Sequence, residues 1–471
     1  MEKVNNTSPL KLNIKRTCLI GFAFFGILLL WQVYDSICPT LLTELFMDVF
    51  NATSEEEVQY LVGIMMAFDN LAALILLPIF GNLSDKTKSP IGKRMPYILV
   101  GTFVCAVAFP FIPILFHYHN LVGMIIMMFI VVIFMMMYRN PAVSLMPDMT
   151  PKPLRSRANG IINIMGYIGG AFGTVVCIIF SLSNYLSGKG SWEYNNIWAI
   201  EAPFLIASVL MVVSALVLFF TVKENKIALE VKDEMSRGEA LSELEKKVDD
   251  DKPLSKANKI MLILILVAEF FWFMADNGIS TYMTNYTIYY LGANSSANMI
   301  NTIVGGVGSV IGFAIGGVIA SKISRKWTIV GGIGIVLSSY LLWMILGFSV
   351  PSLHEDSGTF PVYLYIIWFI KGFGFSLIHV NSYPMVVELT NSKKIGKFTG
   401  LYYASSMGAQ TLTPILLGLI LLAPESTFGI LPIYGLCCIA LALIIFLFIK
   451  NVKPVKTNFK KGLDSLGDND L

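Results

Sequence analysis

The sequence predicts an all-α membrane protein with twelve transmembrane helices in two six-helix halves and with both termini in the cytoplasm. Three observations support this fold class: the composition, the number of apolar segments and a repeat between the halves. The 471 residues are 55% hydrophobic and 14% charged, with a mean hydropathy of +0.69. Soluble proteins carry roughly a quarter charged residues, so this composition indicates a polytopic membrane protein.

Twelve apolar segments are long enough to cross a bilayer, which takes roughly 20 residues in a helix. The first segment is longer than the apolar region of a signal peptide and lacks a small-residue cleavage motif, so we expect it to remain as a membrane span. The segments lie near residues 18–44, 58–81, 97–117, 120–146, 158–181, 198–221, 259–290, 298–321, 327–350, 361–386, 398–422 and 430–449.

The two halves repeat a pattern of charged residues. An acid, a base and a glycine follow one another at the end of the fourth segment and again at the end of the tenth, about 240 residues later: Asp148, Arg157 and Gly160, then Glu388, Lys397 and Gly400. A Trp-x-x-x-Asp pattern recurs in the first and seventh segments, from Trp31 to Asp35 and from Trp272 to Asp276. Acids at matched depth suggest a duplicated bundle, and such bundles usually carry a solute path along their seam.

The basic residues set the predicted orientation and the domain division. Lys and Arg are concentrated in the loops after the second, fourth, eighth and tenth segments and at both ends of the chain. The loops on the opposite side contain a single Lys or Arg, Lys189. Basic loops stay in the cytoplasm, and the net charge of +3 follows from this bias rather than from nucleic-acid binding. We divide the chain into an N-terminal half (1–221), a cytoplasmic linker (222–258), a C-terminal half (259–450) and a cytoplasmic tail (451–471). The linker is interpreted as a solvated tether, with a docking site for a regulator as the alternative.

The loop after the second segment holds the most specific local motif, GNLSDKTKSPIGKRMP at residues 81–96. Its first glycine, Gly81, allows close helix packing, and Asp85 can accept backbone N–H groups at a helix end. Lys93 and Arg94 place positive charge at the cytoplasmic mouth. The motif resembles the loop 2–3 signature of the major facilitator superfamily. In its extended form it resembles the sucrose-transporter and solute carrier family 45 branch, which is related to the glycoside–pentoside–hexuronide cation symporters.

The resemblance implies the major facilitator fold, a sugar or glycoside as the solute, and cation coupling. In sodium-coupled glycoside symporters we expect acids in the second span, about one and two turns before the loop glycine. Leu77 and Ala73 occupy those positions here. This departure puts the family's sodium site in doubt and favours protons as the coupling ion.

Four acids lie inside apolar segments, where an ionisable side chain costs several kcal/mol and is functional by default: Asp35, Asp69, Asp276 and Glu269. Burial favours a neutral carboxyl group, which can take up a proton on one side of the membrane and release it on the other. We therefore expect proton coupling at these four, with Asp35 and Asp69 first because no basic residue lies nearby in sequence. The alternative for each acid is a structural ion pair with Arg139 or Lys371.

Aromatic, amide and basic side chains accompany these acids along the chain. Aromatic rings stack on the C–H faces of sugars and amides bond their hydroxyls, so such a lining fits a neutral polyol. Core packing is the alternative for any one aromatic. The predicted substrate-binding residues are Trp31, Gln32, Tyr34, Asn70, Arg139, Trp272, Asn277, Lys371, Asn381 and Gln410.

Charged residues at the cytoplasmic ends of the spans form a predicted gate. We expect Asp148 to pair with Lys93 or Arg94, and Glu388 to pair with Arg325 or Lys326. Such pairs would hold the inner mouth shut and part as the halves rock. The predicted gate residues are Gly81, Asp85, Lys93, Arg94, Asp148, Arg157, Arg325, Lys326 and Glu388.

Together these features favour a proton-coupled sugar or glycoside symporter that works as a monomer by alternating access in the cell membrane, within the lipid bilayer. A drug or metabolite antiporter, and a membrane sensor that binds solute without moving it, are the alternatives. The sequence contains no nucleophile elbow, HExxH motif, Walker loop or Cys/His metal spacing. We therefore expect no enzymatic activity, no cofactor and no metal site.

Overall fold

A computed structural model describes residues 10–186, 197–246, 256–349, 358–389 and 395–450. Within these ranges twelve helices are long and apolar enough to cross a membrane, which confirms the predicted all-α fold with twelve spans. Spans 1 to 6 are Ile14–Phe50, Gln59–Lys86, Met95–Ala108 (continued by Phe111–His117), Leu121–Asp148, Arg155–Ile179 and Trp198–Thr221. Spans 7 to 12 are Lys256–Asn285 (continued by a π-helix, Tyr286–Tyr290), Ser295–Ile323, Arg325–Ser349, Val362–Leu389, Ile395–Leu421 and Leu431–Leu447.

Short polar residues fix where several spans begin. Asn13, Asn120 and Asn294 precede spans 1, 4 and 8, and each side chain accepts a hydrogen bond from a main-chain N–H of the first turn at 2.9–3.0 Å. These caps satisfy N–H groups that have no partner inside the helix. They explain why span 1 starts at Ile14, several residues before its apolar segment.

The two halves have the same internal arrangement. In the N-terminal half span 1 packs on spans 5 and 6, and span 4 packs on spans 2 and 3; in the C-terminal half span 7 packs on spans 11 and 12, and span 10 packs on spans 8 and 9. Each half encloses its own cluster of buried apolar side chains. Glycines allow the closest of these approaches, as where Gly169 of span 5 lies against the main chain of Phe25 in span 1.

The halves face each other through three span pairs: 2 with 11, 5 with 8, and 1 with 7. We call the end of the bundle at which span 1 begins the inner end, and the opposite end the outer end; the predicted orientation places the inner end in the cytoplasm. At the outer end spans 2 and 11 are in main-chain contact. A Cβ atom at Gly63 would overlap the Pro414 carbonyl, and one at Gly418 would overlap the main chain of Gln59.

The linker contains two further helices, Glu224–Glu230 and Lys232–Lys246. Glu224 is buried, and the second helix rests on the turn before span 5. There Gly238 contacts Pro151, and the Lys152 ammonium lies 3.6 Å from the Glu239 carboxylate. This part of the linker is therefore attached to the N-terminal half, in contrast to the expected solvated tether.

Candidate functional site

A cavity of about 330 Å³ lies between the halves, on the inner side of the contact at the outer end. Its volume is within the range of small-molecule sites. Spans 1, 2 and 4 line it from the N-terminal half, and spans 7 and 11 line it from the C-terminal half. The lining residues are Leu28, Trp31, Asp35, Met66, Asp69, Asn70, Ala73, Met136, Arg139, Asn277, Ser280, Thr281, Gln410 and Pro414.

Helical spacing brings these residues to one side of each span. On span 1 Leu28, Trp31 and Asp35 are three and four residues apart, and on span 11 Gln410 and Pro414 are four apart. Positions with this spacing share a helix face. The spacing thus places these residues of each span on the side that lines the cavity.

The charged side chains of the cavity come from the N-terminal half. Asp69 accepts a hydrogen bond from the Asn70 amide at 2.8 Å and interacts electrostatically with Arg139. Asp35 is exposed to the cavity and has no ion-pair partner among the residues that the structure describes. With all three groups ionised, these two acids and one guanidinium leave one negative charge uncompensated.

The C-terminal half supplies neutral hydrogen-bonding groups to the same cavity. Asn277, Ser280 and Thr281 of span 7 and Gln410 of span 11 contribute two amides and two hydroxyls. Amides and hydroxyls both donate and accept hydrogen bonds. The cavity therefore has a charged wall and a neutral polar wall, one from each half.

The acid of span 7 next to the cavity is already paired. Asp276 Oδ1 lies 2.8 Å from the Lys371 ammonium, whose side chain is 8% exposed. The ammonium also lies 5.2 Å from the centre of the Trp368 ring and 5.6 Å from that of Phe375, distances typical of cation–π contacts. The structural ion pair that was the alternative for these acids is thus present at Asp276.

A second cluster of charges lies at the inner end, around Arg94. Its guanidinium bonds Asp148 at 2.9 Å and Ser84 at 2.5 Å and forms an ion pair with Asp85. Lys93 lies 2.9 Å from the same Asp148 oxygen. The expected pairing of Asp148 is therefore present with both cations. All of these residues belong to the N-terminal half, so the cluster ties spans 2, 3 and 4 to one another.

The outer end is closed by uncharged side chains around Asn285. The Asn285 amide oxygen accepts from Thr40 at 2.7 Å, and its nitrogen donates to Thr43 at 3.0 Å and to Gln59 at 3.2 Å. The Tyr282 hydroxyl donates to a main-chain carbonyl of span 11 at 2.6 Å and also lies 3.1 Å from the Gln59 carbonyl. We call these five residues the outer lock, since they join spans 1 and 2 to span 7 across the seam.

Two further contacts extend the closure of the outer end. The Tyr289 hydroxyl donates to Glu44 at 2.7 Å, which adds a bond between spans 7 and 1. The Ser181 hydroxyl lies 2.9 Å from that of Ser295, which joins the residues after span 5 to span 8. The cavity is thus sealed on its outer side.

The family description Major Facilitator Superfamily matches residues 22–354 and 265–466. The chain belongs to the major facilitator superfamily. A curated relative, lactose permease from Lactobacillus helveticus, is 23% identical over 312 residues, which are 63% of this chain and 46% of that protein. The match thus spans about half of the relative's length.

Solved structures of transporters show the same fold. The POT family transporter PepTSo aligns with a TM-score of 0.66 and 12% identity over 93% of this chain and 97% of its own. The xylose transporter XylE from E. coli, in its inward-open conformation, aligns with a TM-score of 0.64 and 15% identity over 96% of this chain and 97% of its own. This major facilitator chain is accordingly a multi-pass membrane protein.

The structure divides the predicted substrate-binding residues into two groups. Five line the cavity: Trp31, Asn70, Arg139, Asn277 and Gln410. The other five are not among the lining residues: Gln32, Tyr34, Trp272, Lys371 and Asn381. Two of these have hydrogen bonds within their own helices: Gln32 donates to Ser36 at 3.0 Å and Asn381 donates to the Leu377 carbonyl at 2.9 Å.

Trp272 and Glu269 lie in the interior of the C-terminal half. The Trp272 ring is fully buried and packs on Phe446 with 6.1 Å between ring centres, so core packing is its role. Glu269 is also 0% exposed, and neither carboxyl oxygen has a hydrogen-bond partner among the described residues. An ionised carboxylate without partners is very costly in such a place, which favours the neutral acid.

Several lining residues were not predicted from the sequence. The apolar ones, such as Met66 and Met136, carry no chemical signal that separates a cavity wall from a core. Ser280 and Thr281 do carry one, because they lie three and four residues after Asn277 and share its helix face.

The remaining gate residues have different outcomes. Gly81 lies against the Asn140 side chain of span 4, and Arg157 is exposed near the start of span 5. Arg325 lies 3.4 Å from the Asn381 amide oxygen, and Lys326 donates to the Leu447 carbonyl at 3.1 Å. The side chain of Glu388 is outside the described residues, so its pairing with Arg325 or Lys326 stays a prediction.

Proposed function

We propose that this transporter is a proton-coupled symporter of a sugar or glycoside that works by alternating access. The cavity lining is the observation that carries the proposal. Its neutral wall, with Asn277, Ser280, Thr281 and Gln410, can bond the hydroxyls of a polyol, and Trp31 offers an aromatic face for a sugar ring. The lactose permease and xylose transporter to which the chain is similar support a sugar as the solute.

The coupling proton is held by Asp35 and Asp69. Both line the cavity together with one guanidinium, that of Arg139, which interacts electrostatically with Asp69. One proton therefore neutralises the excess negative charge of the loaded cavity, and both carboxyl groups are in contact with the solution that fills it. Glu269 is sealed from that solution and Asp276 is ion-paired with Lys371, so we assign the exchanged proton to neither of them.

The side chains at the expected sodium positions support protons over sodium. Ala73 lines the cavity but offers no side-chain oxygen. The Leu77 carbonyl is bonded to the Asn140 amide. Sodium prefers several oxygen ligands, as hard cations do, and these two positions supply no carboxylate.

Alternating access requires that the outer lock opens. In the conformation described here the lock is formed and the cavity lies inward of it, which corresponds to an inward-facing state. Rocking of the halves would separate Asn285 from spans 1 and 2 and expose Asp35 and Asp69 to the outside. The Arg94–Asp148 cluster lies within one half, so it stabilises the inner end of that half as a unit.

The antiporter alternative predicts a cavity poor in acids and rich in Met and Phe. Met66 and Met136 line the cavity, but so do two aspartates and an arginine. This lining favours a hydrophilic solute over an apolar drug.

Uptake of labelled mono- and disaccharides into proteoliposomes tests the proposal. We expect accumulation driven by an imposed pH gradient and not by a sodium gradient. Asp35→Asn and Asp69→Asn should abolish that accumulation, and at least one of them should retain sugar exchange. Asp48→Asn is the matched control, because Asp48 lies on span 1 outside the cavity and pairs with His119. Accumulation driven by sodium alone would contradict proton coupling, and binding without counter-flow would indicate a sensor.

A further inference from the structure

The start of the linker binds the loop between spans 2 and 3 through Glu224. Its carboxylate accepts hydrogen bonds from three consecutive main-chain N–H groups: Lys93 at 3.0 Å, Arg94 at 3.0 Å and Met95 at 3.2 Å. Met95 is the first residue of span 3, so these groups belong to the helix end that has no partners of its own. A carboxylate there is also favoured by the helix dipole.

The neighbouring residues fit this contact. The Asn225 amide donates to the carbonyls of Ser89 at 3.1 Å and Pro90 at 2.9 Å, in the same loop. Gly92 has a φ of +117°, and a Cβ atom on it would overlap the Glu224 carboxylate. Glycine is thus required both by the backbone conformation and by the space that Glu224 occupies.

The contact also determines the position of the charges at the inner end. The N–H groups that Glu224 accepts from are those of Lys93 and Arg94, whose side chains both reach Asp148 at 2.9 Å. Glu224 is 4% exposed and Arg94 is 4% exposed. The linker, spans 2 and 4, and the start of span 3 therefore meet in one polar cluster, in which Glu224 and Arg94 are buried.

We propose that Glu224 is a positioning residue of the transport cycle, through which the linker holds Lys93 and Arg94 over Asp148. It touches neither the cavity nor the solute and acts only through this loop. The linker then controls the inner end of the N-terminal half in addition to connecting the two halves. This inference does not depend on the identity of the solute or of the coupling ion.

Distance measurements between spin labels test the proposal on the full-length protein, without any solute. Labels at the exposed positions Lys15 and Lys397 report the separation of the halves at the inner end. We expect Glu224→Ala to change the ratio of the two distance populations about fivefold or more, in the direction that Asp148→Asn changes it. Glu224→Asp should restore much of the native ratio. Glu230→Gln is the matched control, since that residue lies on the same short helix in an exposed pair with Lys226.

A double substitution separates positioning from a merely structural cap. If Glu224 acts through the Arg94–Asp148 cluster, Glu224→Ala combined with Asp148→Asn should shift the ratio no further than Asp148→Asn alone. Gly92→Ala, which displaces the carboxylate, should reproduce the Glu224→Ala shift and provides a second variant if Glu224→Ala does not fold. A lowered melting temperature with an unchanged distance ratio, or fully additive shifts, would overturn the proposal.

Discussion

Gly63 is the point at which a single methyl group should change the conformational equilibrium of this transporter. In the closed outer end its Cα lies against the Pro414 carbonyl, and an added Cβ would overlap that oxygen and lie 2.7 Å from the Tyr282 hydroxyl. Spans 2 and 11 would have to separate by about 1 Å to restore an ordinary van der Waals distance. The opposed atom is main chain, so it cannot turn aside as a flexible side chain could.

The cost of this overlap falls on one conformation only. Overpacking of a tight contact costs about 1–3 kcal/mol, and the added Cβ also crowds the Tyr282 hydroxyl. Ala has a higher helix propensity than Gly by roughly 0.5–1 kcal/mol, but that gain is the same in every conformation. The ratio of outer-open to outer-closed molecules should therefore rise about 5–150-fold.

Spin labels at the outer ends of spans 1 and 11, at the exposed residues Phe50 and Leu422, measure this ratio. Gly63→Ala should increase the population with the longer distance, and Gly418→Ala should do the same because its Cβ would overlap the Gln59 main chain. Gly306→Ala is the control, since a Cβ at this position of span 8 meets nothing within 4 Å. Equal distance distributions for Gly63→Ala and Gly306→Ala would refute the reasoning.

Two further predictions concern the acids of the C-terminal half. Asp276→Asn leaves Lys371 as a buried charge without its partner, so it should lower the free energy of unfolding by about 3–5 kcal/mol. Thermal melts should show this loss. The double variant Asp276→Asn with Lys371→Met should recover most of the stability. Glu269→Gln replaces a neutral buried acid with a neutral amide of similar shape, so uptake should keep its dependence on the pH gradient. If that dependence disappeared while sugar exchange continued, the coupling proton would have to be assigned to Glu269.

The sequence predicted the features that depend on composition along one helix. The twelve apolar segments correspond to the twelve spans of the structure. The acids at matched positions indicated two similar halves, and the two halves have the same internal packing. Helical spacing places Trp31 and Asp35 on one face, and the charges at the cytoplasmic ends of the spans predicted that Asp148 pairs with Lys93 or Arg94. These residues lie within a few turns of each other or in a loop whose pattern is distinctive.

The sequence did not decide between the alternatives where a residue has two possible environments. Trp272 matches Trp31 in the repeat, but it packs on Phe446 in the core while Trp31 lines the cavity. Asp276 matches Asp35, but Lys371 of span 10 neutralises it. Equivalent positions in the two halves thus differ because their neighbours come from other spans.

The sequence by itself determined that this chain crosses the membrane twelve times, because burial of apolar side chains in lipid depends only on their number and order. It also determined which ionisable groups are placed at depth. Only the tertiary structure decided which of these groups share a cavity, which are paired and which are sealed. The state of a buried charge is set by atoms within a few ångströms, and in a helical bundle most of those atoms belong to residues far away in the sequence.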